Sequence, residues 1–238
     1  MQGSFRQVDS VPDAFAELVA ARLAALPPEG MNLFLSGGPT AEACYRALAA
    51  RAGPGPTGGS PGPWSSVDTY WGDERCVPLD DPDSNHRLGV DSLLGAVGPV
   101  RSDHPMYRGG PPDEAAAAYD REVSALDRLD LVHLGLGPDG HCASLFPHTA
   151  ALDIGGSGPL VVATRDTNVA NPHDRITLTL PAIARGRLVV FTVSGPTKRD
   201  ALRRVIAGDD VPAARVTAEE VVWLVDAEAV GDTALPGN

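Results

Sequence analysis

The 238 residues suit one α/β domain, and 43% hydrophobic with 21% charged residues describes a globular chain whose core needs no disulfide or metal staple. A net charge of −12, with 19 Lys and Arg spread without a cluster, argues against nucleic acid or an anionic membrane as partner. The cysteines Cys44, Cys76 and Cys142 lack paired spacing, and no basic apolar leader or bilayer-length apolar run is present, so a cytoplasmic protein without disulfides is expected.

Val11 to Leu26 carries apolar residues at helical spacing and stops at Pro27-Pro28. Met31 to Leu35 reads as a strand, and Thr40 as the cap of a helix running to about Arg51. Gly53 to Pro63 has no periodic pattern and reads as a mobile surface loop. Val67 to Trp71 is the next strand; Ser84 to Val97 and Pro112 to Leu126 are helical, and Leu129 to Leu136 is a strand. Pro159 to Ala163 and Ile176 to Leu180 are β-rich, Arg187 to Val193 is a strand, Pro196 to Ala207 an amphipathic helix and Val221 to Val225 a last strand. This alternation predicts a single α/β domain over 1–238, an open and largely parallel sheet with helices on both faces.

Two glycine turns follow strands. Ser36-Gly37-Gly38-Pro39-Thr40 lets backbone approach a ligand, and free N–H groups at the helix start attract phosphate; it lacks the Gly-Lys-Ser/Thr of a nucleotide-hydrolysing loop. Gly135-x-Gly137-x-x-Gly140 matches the dinucleotide fingerprint literally. However, Asp139 inside it would face a pyrophosphate, no acid-ended strand follows at the required distance, and the motif lies mid-chain, so NAD is not expected.

His141 is the leading candidate for chemistry, because a neutral imidazole can take a proton from water and return it to a leaving group. Asp139 could orient that ring or simply bond loop amides. Cys142, adjacent to His141, diverges from it and reads as a small buried filler, and His133 reads as packed within its strand. His141 and His148 show no metal-ligand spacing, so no metal is expected. Arg75, in Trp71-Gly-Asp-Glu-Arg75, could grip phosphate or carboxylate, or pair internally with Asp73 or Glu74; Arg175 precedes a strand. Lys198 begins a helix, against the macrodipole, which a bound anion would explain.

Leu35-Ser-Gly-Gly-Pro-Thr40, Trp71-Gly-Asp-Glu-Arg-Cys-Val-Pro78 with Ser84-Asn85, Leu134-Gly-Leu-Gly-Pro-Asp-Gly-His-Cys-Ala-Ser-Leu-Phe-Pro147 and Arg175-Ile-Thr-Leu-Thr-Leu-Pro181 together resemble the 6-phosphogluconolactonase family. The related glucosamine-6-phosphate deaminases continue after the histidine with Ile-Ala-Phe-Asn-Glu-Pro, whereas this chain has Cys142-Ala-Ser-Leu-Phe-Pro147. Cys142 stands where the lactonases usually have Thr, a small departure. The resemblance implies a modified Rossmann-type sheet and hydrolysis of 6-phospho-D-glucono-1,5-lactone in the oxidative pentose phosphate pathway, without a redox cofactor. His141 and Asp139 would be catalytic, and Ser36, Gly37, Gly38, Thr40, Asp73, Arg75, Arg175 and Lys198 would bind substrate and its phosphate. The expected partner is the sugar-phosphate lactone alone, with the chain a monomer or weak homo-oligomer; a deaminase-like isomerase and a non-catalytic sugar-phosphate sensor are the alternatives.

Overall fold

Strand runs such as Leu131-Val-His-Leu134 lack polar alternation because both of their faces are covered. The computed structural model describes residues 2–53, 62–165 and 173–236, so the interior of the glycine- and proline-rich stretch from Gly53 to Pro63 lies outside the described residues. In chain order the elements are β1 (Ser4–Gln7), α1 (Val11–Ala24), β2 (Met31–Leu35), α2 (Pro39–Ala52), β3 (Val67–Trp71), β4 (Asp73–Arg75), α3 (Asn85–Gly89), α4 (Gly95–Val97) and β5 (Ser102–Asp103). There follow α5 (Pro112–Ser124), β6 (Leu129–Gly135), β7 (Val161–Arg165), β8 (Asp174–Leu178), α6 (Leu180–Ile183), β9 (Gly186–Val193), α7 (Arg199–Ala207), β10 (Glu220–Val225) and α8 (Ala227–Val230).

One seven-stranded sheet has the order β1-β10-β9-β6-β2-β3-β5, with every pair parallel. Helices flank both faces. On one, the His133 ring of β6 packs 4.2 Å from Phe15 of α1 and 5.4 Å from Tyr45 of α2. On the other, Phe34 of β2 stacks on Tyr70 of β3 at 4.9 Å, and Tyr70 meets Tyr119 of α5 edge-on. Phe5, Trp223 and Phe191 sit in register across β1, β10 and β9 and stack, with 5.3 and 3.8 Å between ring centroids.

From β2 the chain builds outward through β3 to β5; from β6 it builds the other way through β9 to β10. The order therefore reverses between β2 and β6. In open parallel sheets the crevice beyond the strand ends at such a reversal is where ligands bind, and here both glycine turns open into it. A second, antiparallel sheet, β4-β8-β7, stands beside that crevice. Gly72 joins the two sheets, donating its N–H to Leu35 O at 2.8 Å and accepting from Leu178 N at 2.9 Å.

Three details depart from the sequence reading. The stretch Ser84 to Val97 is not one helix: α3 and α4 flank a π-turn at Val90–Leu94. Leu180 does not end a strand but opens α6, capped by the Thr179 hydroxyl. Short β1, β4 and β5 were not anticipated.

Candidate active site

The loop after β2 is shaped by its neighbours. Tyr45 fixes Ser36 from below: its hydroxyl accepts the Ser36 N–H at 2.6 Å and lies 3.1 Å from the Ser36 carbonyl. Gly37 is held against Asn85, whose Oδ1 would stand 1.8 Å from any Cβ there. Gly38, at φ +93, is the residue that caps α2, and it does so without a side-chain bond. Thr40 is therefore not the cap. It sits inside the first turn and lines the cleft with Ser36, Gly37 and Gly38, leaving first-turn N–H groups for a ligand.

The turn after β6 places His141. Its ring lies over Gly137, where a Cβ would come within 2.1 Å of Nδ1, and Gly140, at φ +90, packs so closely on Val211 that a Cβ would lie 2.6 Å from it. No helix follows this turn, so the strand–turn–helix context of a dinucleotide site is absent and the spaced glycines have local causes. Asp139 does both things considered for it: Oδ1 lies 2.5 Å from His141 Nδ1 and accepts the His141 backbone N–H at 3.2 Å. Burial pushes the Asp139 carboxyl up, but its bonds to the His141 ring and amide outweigh that and hold it below its ordinary value. An ionised Asp139 keeps the proton of neutral His141 on Nδ1 and leaves Nε2 basic. Arg204 supports the turn from behind, donating to Asp139 O at 3.3 Å, and Ala213 N donates to Gly140 O at 3.0 Å.

The opposite wall comes from the small sheet. Arg75 and Arg175 are direct cross-strand partners in β4 and β8, a like-charge pairing that is unfavourable unless something anionic offsets it. Arg75 donates to Asp83 O at 2.5 Å; neither Asp73 nor Glu74 pairs with it among the described residues. Glu74 is instead spent on Ser84 Oγ and the amides of Arg75, Asn85 and His86, fixing the start of α3. Asp73 lines the cleft, yet its carboxylate accepts from Ser144 Oγ at 2.6 Å and lies 3.7 Å from Arg175 Nη1, with Asn85 Nδ2 bonded to its carbonyl at 2.8 Å. Arg175 is thereby anchored, with Phe146 under its guanidinium at 5.6 Å. Lys198 projects from the turn before α7 and has no ion-pair partner among the described residues; burial pushes its ammonium down, partly opposed by Asp139.

His141, the Ser36–Thr40 loop, Asp73, both arginines and Lys198 thus share one cleft of about 280 Å³. The profile of the family described as glucosamine-6-phosphate isomerases/6-phosphogluconolactonase matches residues 6–223. The chain belongs to this family. A 6-phosphogluconolactonase of Mycobacterium tuberculosis is 40% identical over 237 residues, covering 92% of each chain. One of Synechocystis is 37% identical over 213 residues, covering 83% of this chain and 82% of the relative. The crystal structure of 6-phosphogluconolactonase from Thermotoga maritima superposes with a TM-score of 0.81 at 29% identity, over 94% of this chain and 100% of that one.

Within this family fold, the cleft residues that escaped sequence reasoning include Asn85, Ala143, Phe146 and Thr192. Asn85 and Phe146 lay inside quoted motifs and needed only the question of what they face. Ala143 has φ +48, a backbone strain that sequence does not announce. Thr192 lies near the end of an apolar strand and gave no signal.

Proposed function

We propose that the chain hydrolyses 6-phospho-D-glucono-1,5-lactone to 6-phospho-D-gluconate, the lactone-opening step of the oxidative pentose phosphate pathway. The observation that carries this reading is the 2.5 Å pairing of Asp139 with His141 Nδ1 in a cleft also lined by Arg75, Arg175 and Lys198. His141 Nε2 takes a proton from water as its oxygen attacks C1. The charge that develops on the carbonyl oxygen falls to backbone N–H groups of the glycine turns or to a guanidinium. Asp139 remains ionised and stabilises the imidazolium. As the tetrahedral intermediate collapses, the bond from C1 to the ring oxygen breaks, and His141 returns the proton to that oxygen. Arg75, Arg175, Lys198 and the start of α2 grip the phosphate, so binding remote from C1 orients the reacting carbon. The free cysteines, among them buried Cys44 and Cys142, fit a cytoplasmic setting.

The test is lactone hydrolysis on freshly generated substrate, corrected for the spontaneous reaction. The wild type should accelerate it, and folded His141→Ala should lose about 10²–10⁴ in kcat. Near-full kcat in that variant, or ammonia release from glucosamine 6-phosphate in place of lactone turnover, would overturn the reading.

A further inference from the structure

A file of buried polar groups runs beneath the cleft floor, and the mechanism above does not use it. Tyr45 Oη, already bonded to Ser36, lies 2.9 Å from His133 Nδ1; His133 Nε2 lies 2.8 Å from Thr192 Oγ1. His133 is fully buried, and burial pushes its pKa down to about 3, so the ring is neutral and carries one N–H. An apolar side chain would fill this interior strand position without any polar group to satisfy. Thr192, next to last in β9, stands directly opposite Gly135 in β6, where the missing side chain leaves open space; it lines the same cleft as Ser36, and its hydroxyl also meets the Cys44 thiol.

Counting protons along Tyr45, His133 and Thr192 gives two arrangements. In the first, Tyr45 donates to Nδ1 and Nε2–H donates to Thr192, whose own proton then goes to the Cys44 sulfur or to a ligand. In the second, Tyr45 donates to the Ser36 carbonyl, Nδ1–H donates to Tyr45, and Thr192 donates to Nε2. The His133 tautomer therefore decides whether Thr192 offers the cleft a donor or only an acceptor. Because a hydroxyl on a ligand both gives and accepts, either arrangement can hold one.

We propose that Thr192 binds a ring hydroxyl of the sugar and sets selectivity among phosphorylated lactones, with His133 as the residue that positions it. This rests on the lactonase reading above. The experiment compares 6-phospho-glucono-1,5-lactone with its 2-deoxy, 3-deoxy and 4-deoxy counterparts, using wild type, Thr192→Val, His133→Leu and His133→Gln. Thr192→Val should lower kcat/KM on the parent lactone about tenfold, the weight of one hydrogen bond, and less than about twofold on one of the deoxy lactones. His133→Leu should lose part of that discrimination and His133→Gln, which keeps a donor and an acceptor, should restore it. If Thr192→Val does not fold, Thr192→Ala is read in the same way. Equal losses on every lactone would overturn the contact, and unchanged discrimination in His133→Leu would overturn the positioning role. Absence of turnover by the wild type would instead strike the lactonase reading itself.

Discussion

At the scale of single residues, the site depends on side chains that are absent as much as on those present. Gly137 leaves room for the His141 ring, so Gly137→Ala should keep the fold but displace the imidazole, lowering kcat by about 10²-fold, as an ångström-scale misplacement does; steady-state kinetics with a matched melting curve checks this. Asp139 carries a pH signature. Its folded carboxyl sits below the ordinary value of 3.8, so the stability it contributes is complete above that value and is lost as pH falls through the lowered one. Asp139→Asn should flatten this part of the acid-unfolding profile, measured by denaturant titration at successive pH values. His141 and Asp139 were legible because a titratable pair on a glycine turn is rare. Thr192 was not, because its relevance arises only when distant segments meet: it reaches His133 on the neighbouring strand.

Among the elements, the helix after the first glycine turn shows how a cap can be misread. Thr40 has the chemistry of an N-cap, but Gly38 holds that place at φ +93. Gly38→Ala should therefore cost about 1–2 kcal/mol although open space surrounds it, whereas Thr40→Ala should leave stability almost unchanged and raise KM for the phosphorylated lactone. Urea unfolding and initial-rate kinetics separate the two effects. The strands of the large sheet that are five or more residues long were readable because their apolar residues fill both faces of the sheet. β4 was not: Asp73-Glu-Arg75 has poor intrinsic strand preference and becomes a strand because β8 pairs with it while its acids are taken up by Ser144, Asn85 and the start of α3. The reversal of strand order between β2 and β6, which fixes where the cleft lies, was likewise out of reach, since pairing order is a property of contacts between segments.

For the whole molecule, a net charge of −12 surrounds a cleft lined by Arg75, Arg175 and Lys198. The overall charge repels an anionic sugar phosphate while the cleft attracts it. The nearer charges win inside a low-dielectric crevice, so kcat/KM should fall as ionic strength rises from about 0.01 to 0.15 M and the screening length shortens from about 30 to 8 Å; a rise would mean that the net charge governs approach. Leu79 is the one large apolar side chain exposed among the described residues, and no described helix is long and apolar enough to cross a membrane.

The joint at Gly72 has a wider consequence. It stitches the parallel sheet that carries the His141 turn to the antiparallel one that carries Arg75 and Arg175. In the proposed reading the large sheet thus holds the base, Lys198 and the start of α2, while the small sheet adds the two arginines, and Ser144 ties the His141 turn to both β4 and β8. Selection could retune which sugar phosphate is accepted by reworking β4 and β8 while the pairing of Asp139 with His141 stays intact, a modular layout suited to a family that spans both isomerases and lactonases.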